Sequence, residues 1–167
     1  MNAPVVVFAV GNPDRGDDGL GPVLAARLAG LALAGVEVVE DFQLQVEHAL
    51  DLEGCRRAVF VDAGAGTPGP YELRPARASA RFLHTTHALP PEAVLEAYER
   101  CSGRPAPEAW VLCVRGESFG LGEGLSPRGQ RHLEAAWPQL VELCTGRAPG
   151  AALGIPSAWP PAAGTPA

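Results

Sequence analysis

The first apolar run, residues 4–10, is continuous, rich in valine and stopped by Gly11, which is the pattern of a strand buried on both faces. A glycine- and acid-rich loop follows as far as Gly21. Pro22, at a first helical position, then predicts a helix over residues 22–29 that Gly30 and Gly35 close off. Residues 36–40 read as a second strand. Over residues 45–52 the apolar positions Val46, Ala49 and Leu50 are spaced i, i+3, i+4, which predicts a short helix ended by Gly54. Residues 58–62 form a third buried strand, residues 71–73 a short fourth, and residues 74–89 a loop. A helix over residues 91–101 sets Val94, Leu95 and Tyr98 on one face, and residues 109–114 make a further strand. After a glycine-rich loop over residues 116–124, Ser126 and Pro127 open a last helix that runs to about Cys144. Pro138 is expected to kink or split it.

Strands alternating with helices predict an α/β sandwich around a mainly parallel sheet. The pattern breaks off near Cys144. Residues 145–167 are mostly Ala, Gly and Pro, a composition that cannot build a core and predicts disorder. The expected organisation is one domain over residues 1–144 and a tail over residues 145–167.

Composition narrows the function. The 167 residues are 47% hydrophobic and 19% charged, as in an ordinary globular domain. No apolar run reaches the roughly 18 residues of a membrane helix. The N-terminal residues lack the basic region of a signal peptide, so the expected compartment is the cytoplasm and the expected state a monomer. A net charge of −6 argues against nucleic acid as a partner. All 13 basic residues are Arg, which excludes Schiff-base and phosphate-loop lysines. The cysteines, Cys55, Cys101, Cys113 and Cys144, have no metal-ligand spacing and are expected to be buried free thiols.

Three stretches carry candidate chemistry. The loop Gly11-Asn12-Pro13-Asp14-Arg15-Gly16-Asp17-Asp18-Gly19-Leu20-Gly21 follows a buried strand and precedes a helix, where open α/β sheets place ligands. Its glycine spacing imitates a phosphate loop, but Asp17 and Asp18 stand where Lys and Ser or Thr are required, so it suits a cation. A solvated acidic turn is the plain alternative. Asp62 ends the third strand, as a ligand or as a turn cap. His87, in a loop before a predicted helix, is a candidate imidazole ligand or an incidental loop residue. Together the three make a conceivable metal site with open positions, whose metal spacing alone does not choose. His48 and His132 fall on predicted helices and read as structural or surface residues. Gly116-Glu117-Ser118-Phe119-Gly120 matches the nucleophile-elbow pattern, which keeps a serine hydrolase using Ser118 as a rival, although no helix is predicted to begin at once after it.

The first loop resembles the signature of the hydrogenase maturation endopeptidases, and the resemblance continues in order. It runs through Asp41-Phe42-Gln43-Leu44, Val59–Ala63, Thr86-His87-Ala88-Leu89, Arg115-Gly116-Glu117-Ser118-Phe119 and Leu125-Ser126-Pro127. It covers about residues 5–143. It implies a three-layer α/β/α sandwich with a twisted sheet, and an endopeptidase that trims the C-terminal extension of a nickel–iron hydrogenase large-subunit precursor after nickel insertion. It assigns the metal-binding and catalytic roles to Asp18, Asp62 and His87, with Asp17 as second choice in the loop. Two mechanisms stay open: nickel supplied by the precursor, or an aspartic-type reaction with Asp17 or Asp18 as general base. Many relatives carry Glu at the Asp18 position, and some carry Gly-Gly-Thr where this chain has Phe42-Gln43-Leu44. A different class of function with the same residues is a non-catalytic metal-binding assembly partner of the precursor.

Overall fold

The computed structural model of the chain describes residues 4–82 and 88–146. Five strands form one sheet: β1 (Val5–Val10), β2 (Val36–Asp41), β3 (Arg57–Ala65), β4 (Tyr71–Ala76) and β5 (Glu108–Gly116). Their spatial order is β2-β1-β3-β5-β4, parallel throughout except for β4, which runs antiparallel to β5. The helices are α1 (Leu20–Gly30), α2 (Pro91–Ser102) and α3 (Pro127–Cys144), and the segment Val46–Leu52 is a 3-10 helix.

Alternation along the central strand explains the layers. Val5, Val7 and Ala9 point to one face and pack with Leu20, Leu24 and Leu28 of α1 and with Leu133, Leu140 and Leu143 of α3. Val6, Phe8 and Val10 point to the other face, where Val94, Leu95 and Tyr98 of α2 meet Ala49 and Leu52 of the 3-10 helix. Phe8 stacks on Phe60 of β3 with ring centroids 5.1 Å apart. The result is the expected three-layer α/β/α sandwich.

Several elements depart from expectation. The short helix expected over residues 45–52 is present as a 3-10 helix, capped by reciprocal bonds between Gln45 and His48. The His48 ring turns inward against Phe8, leaving Val46 and Leu50 exposed. The fourth strand extends through Pro75 to Ala76. Arg115 N–H bonds the Pro70 carbonyl, and the register then alternates so that position 75 points off the sheet edge, where a missing N–H costs no ladder bond. The helix over Pro127–Cys144 is unbroken at Pro138. Pro138 is on the solvent side, and the carbonyl that it leaves without an N–H belongs to Glu134, also exposed. Of the four thiols only Cys144 is buried and Cys101 is exposed. Residues 147–167, which hold nearly all of the predicted tail, lie outside the described residues.

At the edge where the parallel strands begin, the buried Arg57 ties the sheet to α3: its Nη1 donates to the Leu143 carbonyl (2.8 Å) and its Nε to Glu108 Oε1 (3.1 Å). Candidate chemistry collects at the opposite edge.

Candidate functional site

The chain leaves β1 for β2 on one side and returns to β3 on the other, so the boundary of β1 and β3 is the switch point of the sheet, where open α/β folds form their ligand crevice. A cavity of about 530 Å³ opens there, with Phe8, Phe60 and Phe42 among its walls and both Asp18 and Asp62 facing into it. Two of the three predicted ligands are thus brought together from opposite sides of the switch point. His87 lies outside the described residues. The residues directly after it, Ala88 and Leu89, line the same cavity. Among the described residues no three His, Cys, Asp or Glu side chains are grouped closely enough to hold a metal ion.

The neighbouring acids Asp17 and Asp18 have separate jobs. The Asp17 side chain turns away from the cavity and is fully buried (0% exposed). Its Oδ2 accepts from the Ser126 hydroxyl (2.6 Å) and from the Glu117 (2.7 Å) and Ser118 (3.1 Å) amides, and its Oδ1 accepts from the Ser126 amide (2.7 Å). Burial works to raise its pKa, but the Ser126 hydroxyl and these amides outweigh burial and hold the carboxyl below its ordinary 3.8. The Ser126 hydroxyl in turn accepts from the Gly129 amide (2.9 Å), capping α3. Gly129 has no room for a side chain, because a Cβ would overlap the Asp17 carboxyl.

Asp18 is half-buried, and its Oδ2 accepts from the Asn12 amide (2.7 Å), so the carboxylate is braced from inside the loop. Gly11 (φ +144°) makes this turn possible: a side chain there would run into the Asp18 carbonyl oxygen. Asp62 ends the apolar part of β3, and its Oδ1 accepts from the Ala63 amide (2.7 Å). Asp62 is solvent-exposed on the cavity side, while the protein packed around it partly desolvates its carboxylate. Burial pushes its pKa up to about 6; the Ala63 amide works against this and the negative charge of Asp18 adds to it.

The other candidates separate cleanly. His48 Nδ1 accepts from the Gln45 amide (2.9 Å), so Nε2 carries the hydrogen that faces Asp41 Oδ2 at 3.3 Å, and the residue is structural. His132 Nδ1 bonds the Arg115 carbonyl (2.8 Å), while the Ser118 hydroxyl donates to Glu123 Oε2 (2.7 Å). Ser118 and His132 are therefore bonded elsewhere rather than to each other, and the next helix after Ser118 begins only at Pro127, so the elbow geometry is absent. Burial raises the pKa of Cys55, Cys113 and Cys144, the last to about 12, which keeps these thiols protonated.

Sequence reasoning missed the far wall of the cavity. Cys113 of β5 stands beside Asp62 and beside Glu72 of β4 in one cross-strand row, and Arg74 lies one row below, opposite Val111. The signal was the alternation of Glu72 and Arg74 along a segment whose second half read as loop.

A sheet of this order with loops gathered at one switch point defines a class, the open three-layer α/β folds. Within it the match is specific. The fold is that of NiFe hydrogenase maturation protease HybD from Thermococcus kodakarensis (TM-score 0.66, 21% identity, 84% of this chain and 99% of that one). It is also that of the maturation protease HycI from Thermococcus kodakarensis KOD1 (0.65, 22% identity, 86% and 94%) and of the hydrogenase maturating endopeptidase HybD from E. coli (0.65, 20% identity, 86% and 94%). No protein-family model and no curated protein sequence matches the chain.

Proposed function

We propose that this chain is an endopeptidase that removes the C-terminal extension of a nickel–iron hydrogenase large-subunit precursor after nickel has been inserted. The observation that carries the reading is the pairing of Asp18 and Asp62 across one cavity at the switch point, in a fold shared with structures named as maturation proteases of such hydrogenases.

Nickel belongs to the substrate in this reading and would be held by Asp18, Asp62 and His87. The donor chemistry suits it: two carboxylates whose charges oppose each other face one space, and an imidazole would complete a three-ligand set with open positions. Bound nickel supplies a Lewis acid for the scissile carbonyl. The chain's own part is positioning. The Asn12 amide occupies one Asp18 oxygen and leaves the other for the ligand, the Ala63 amide does the same for Asp62, and Phe8 and Phe60 keep the floor dry. A precursor without nickel offers these ligands nothing to grip, so cleavage is gated by metal loading. We expect the enzyme to work in the cytoplasm as a monomer.

A second reading rests on the Asp62 pKa of about 6. Two carboxyl groups on one cavity, of which Asp62 can hold a proton near neutrality, are the parts of an aspartic-type mechanism, with Asp18 and Asp62 as the pair. Asp17 is not available for it, because both its oxygens are occupied and buried.

Incubation with nickel-loaded and nickel-free precursor, followed by intact mass, tests these readings. Shortening of the loaded form alone supports the nickel-gated protease. Shortening of both forms favours the carboxyl pair. Tight binding without shortening indicates a non-catalytic assembly partner.

A further inference from the structure

The cavity runs from β1 and β3 to the edge strand β4, and charged side chains line it at both places. Asp18 and Asp62 lie over β1 and β3; over β4 stand Glu72 and Arg74, and Arg74 is the one cationic side chain among the described residues that line the cavity. The placement of Arg74 follows from register. Phe8, Phe60, Val111 and Arg74 are consecutive partners across β1, β3, β5 and β4, so the guanidinium rises from the same face as the aromatic floor. It is also held. Its Nη1 donates to Glu92 Oε1 (2.6 Å), and Glu92 sits in the first turn of α2, directly after Pro91 on the cavity rim. The carboxylate is 17% exposed, whereas the arginine remains 43% exposed. One edge of the fork is therefore fixed by an enclosed partner, and the rest faces the cavity with donors to spare.

We infer that Arg74 is a specificity residue that binds a carboxylate side chain of the peptide being cleaved. This rests on the endopeptidase reading above. Two strand spacings and one residue pair along the strand separate Arg74 from Asp62, roughly 12 Å between their Cα atoms, or about three to four residues of extended peptide. An Asp or Glu at that remove from the scissile bond meets the open edge of the guanidinium. Glu92 is the positioning partner: it sets the fork angle and blocks the edge away from the cavity.

Cleavage kinetics of the nickel-loaded precursor by wild type, Arg74→Lys and Arg74→Gln test this. Arg74→Gln should raise KM about tenfold, the scale of one charge-assisted hydrogen bond, with kcat within about twofold and the enzyme still folded at the assay temperature. Arg74→Lys should recover part of the loss. In parallel, each Asp and Glu of the precursor within about five residues of the cut is changed to its amide. One of these changes should copy the Arg74→Gln effect on wild-type enzyme and add nothing to it in the Arg74→Gln enzyme. An Arg74→Gln enzyme with wild-type KM, or one whose loss adds to every precursor change, overturns the assignment while leaving the endopeptidase reading intact. A wild-type enzyme that shortens no precursor removes the endopeptidase reading, and this assignment falls with it.

Discussion

Ser126 gives both its hydroxyl and its backbone amide to the carboxylate of Asp17, at 2.6 and 2.7 Å, and so joins the start of α3 to the loop that carries Asp18. With the Glu117 and Ser118 amides on the same carboxylate, three segments of the chain meet on one buried anion. The adjacent acids therefore respond oppositely to substitution.

Asp17→Ala leaves four donors without their acceptor in a dry place. Unfolding in urea should show a loss of about 3 kcal/mol or more, the scale expected for charge-assisted bonds to a buried group. Asp18→Ala, by contrast, should change stability by less than about 1 kcal/mol and abolish precursor cleavage.

The pH dependence of stability carries the same distinction. Asp17 has a folded pKa below its unfolded 3.8, so its contribution is complete above about pH 3.8 and is lost as pH falls through the lower folded value. An Asp17→Asn variant should therefore lie further below wild type in melting temperature at pH 7 than at pH 2.5.

Asp62 has the reverse sign. Its folded pKa of about 6 exceeds the unfolded 3.8, so the folded state favours the proton, and stability due to this group declines as pH rises from 3.8 to about 6. Asp62→Asn should melt above wild type at pH 7.5, with the gap closing by pH 3.5, while cleaving no precursor. A variant that melts below wild type at pH 7.5 would show that the carboxylate is favourably solvated after all.

The same ionisation should shape activity. With Asp62 required as a carboxylate, kcat/KM for the nickel-loaded precursor should fall about tenfold per pH unit below about pH 6, as kcat/KM reports groups of the free enzyme. A flat profile down to pH 5 would remove Asp62 from the ionising groups.

Ser118→Ala should retain wild-type cleavage to within about threefold, because the hydroxyl it removes bonds Glu123 rather than a base. Loss of several orders of magnitude would restore the serine hydrolase.

Much of this architecture was legible in the sequence because the signals were local. Valine-rich runs ending in Gly11 and Asp62 marked the central strands, and Ser126-Pro127 marked the start of α3 to the residue. At residues 45–52 the short helix was legible but not its inward face, because His48 is drawn inward by Phe8 and Asp41, partners invisible to a spacing rule. Periodicity failed at Pro75, because an edge position is defined only once the neighbouring strand is known. At the site, spacing put Asp17 and Asp18 in the same loop but gave no physical means of ranking them. That took the position of Ser126, more than a hundred residues away. Arg74 was overlooked for a similar reason, since a charged residue within a short edge strand acquires meaning only from the aromatic floor beside it.

The Asp17 junction has a thermal consequence. The loop bearing Asp18 shares its anchoring bonds with the residues just after β5 and with the start of α3, so it should melt with them rather than in a transition of its own. Its amides should exchange with solvent at the rate of the sheet, and warming should leave the binding geometry whole until the entire molecule gives way.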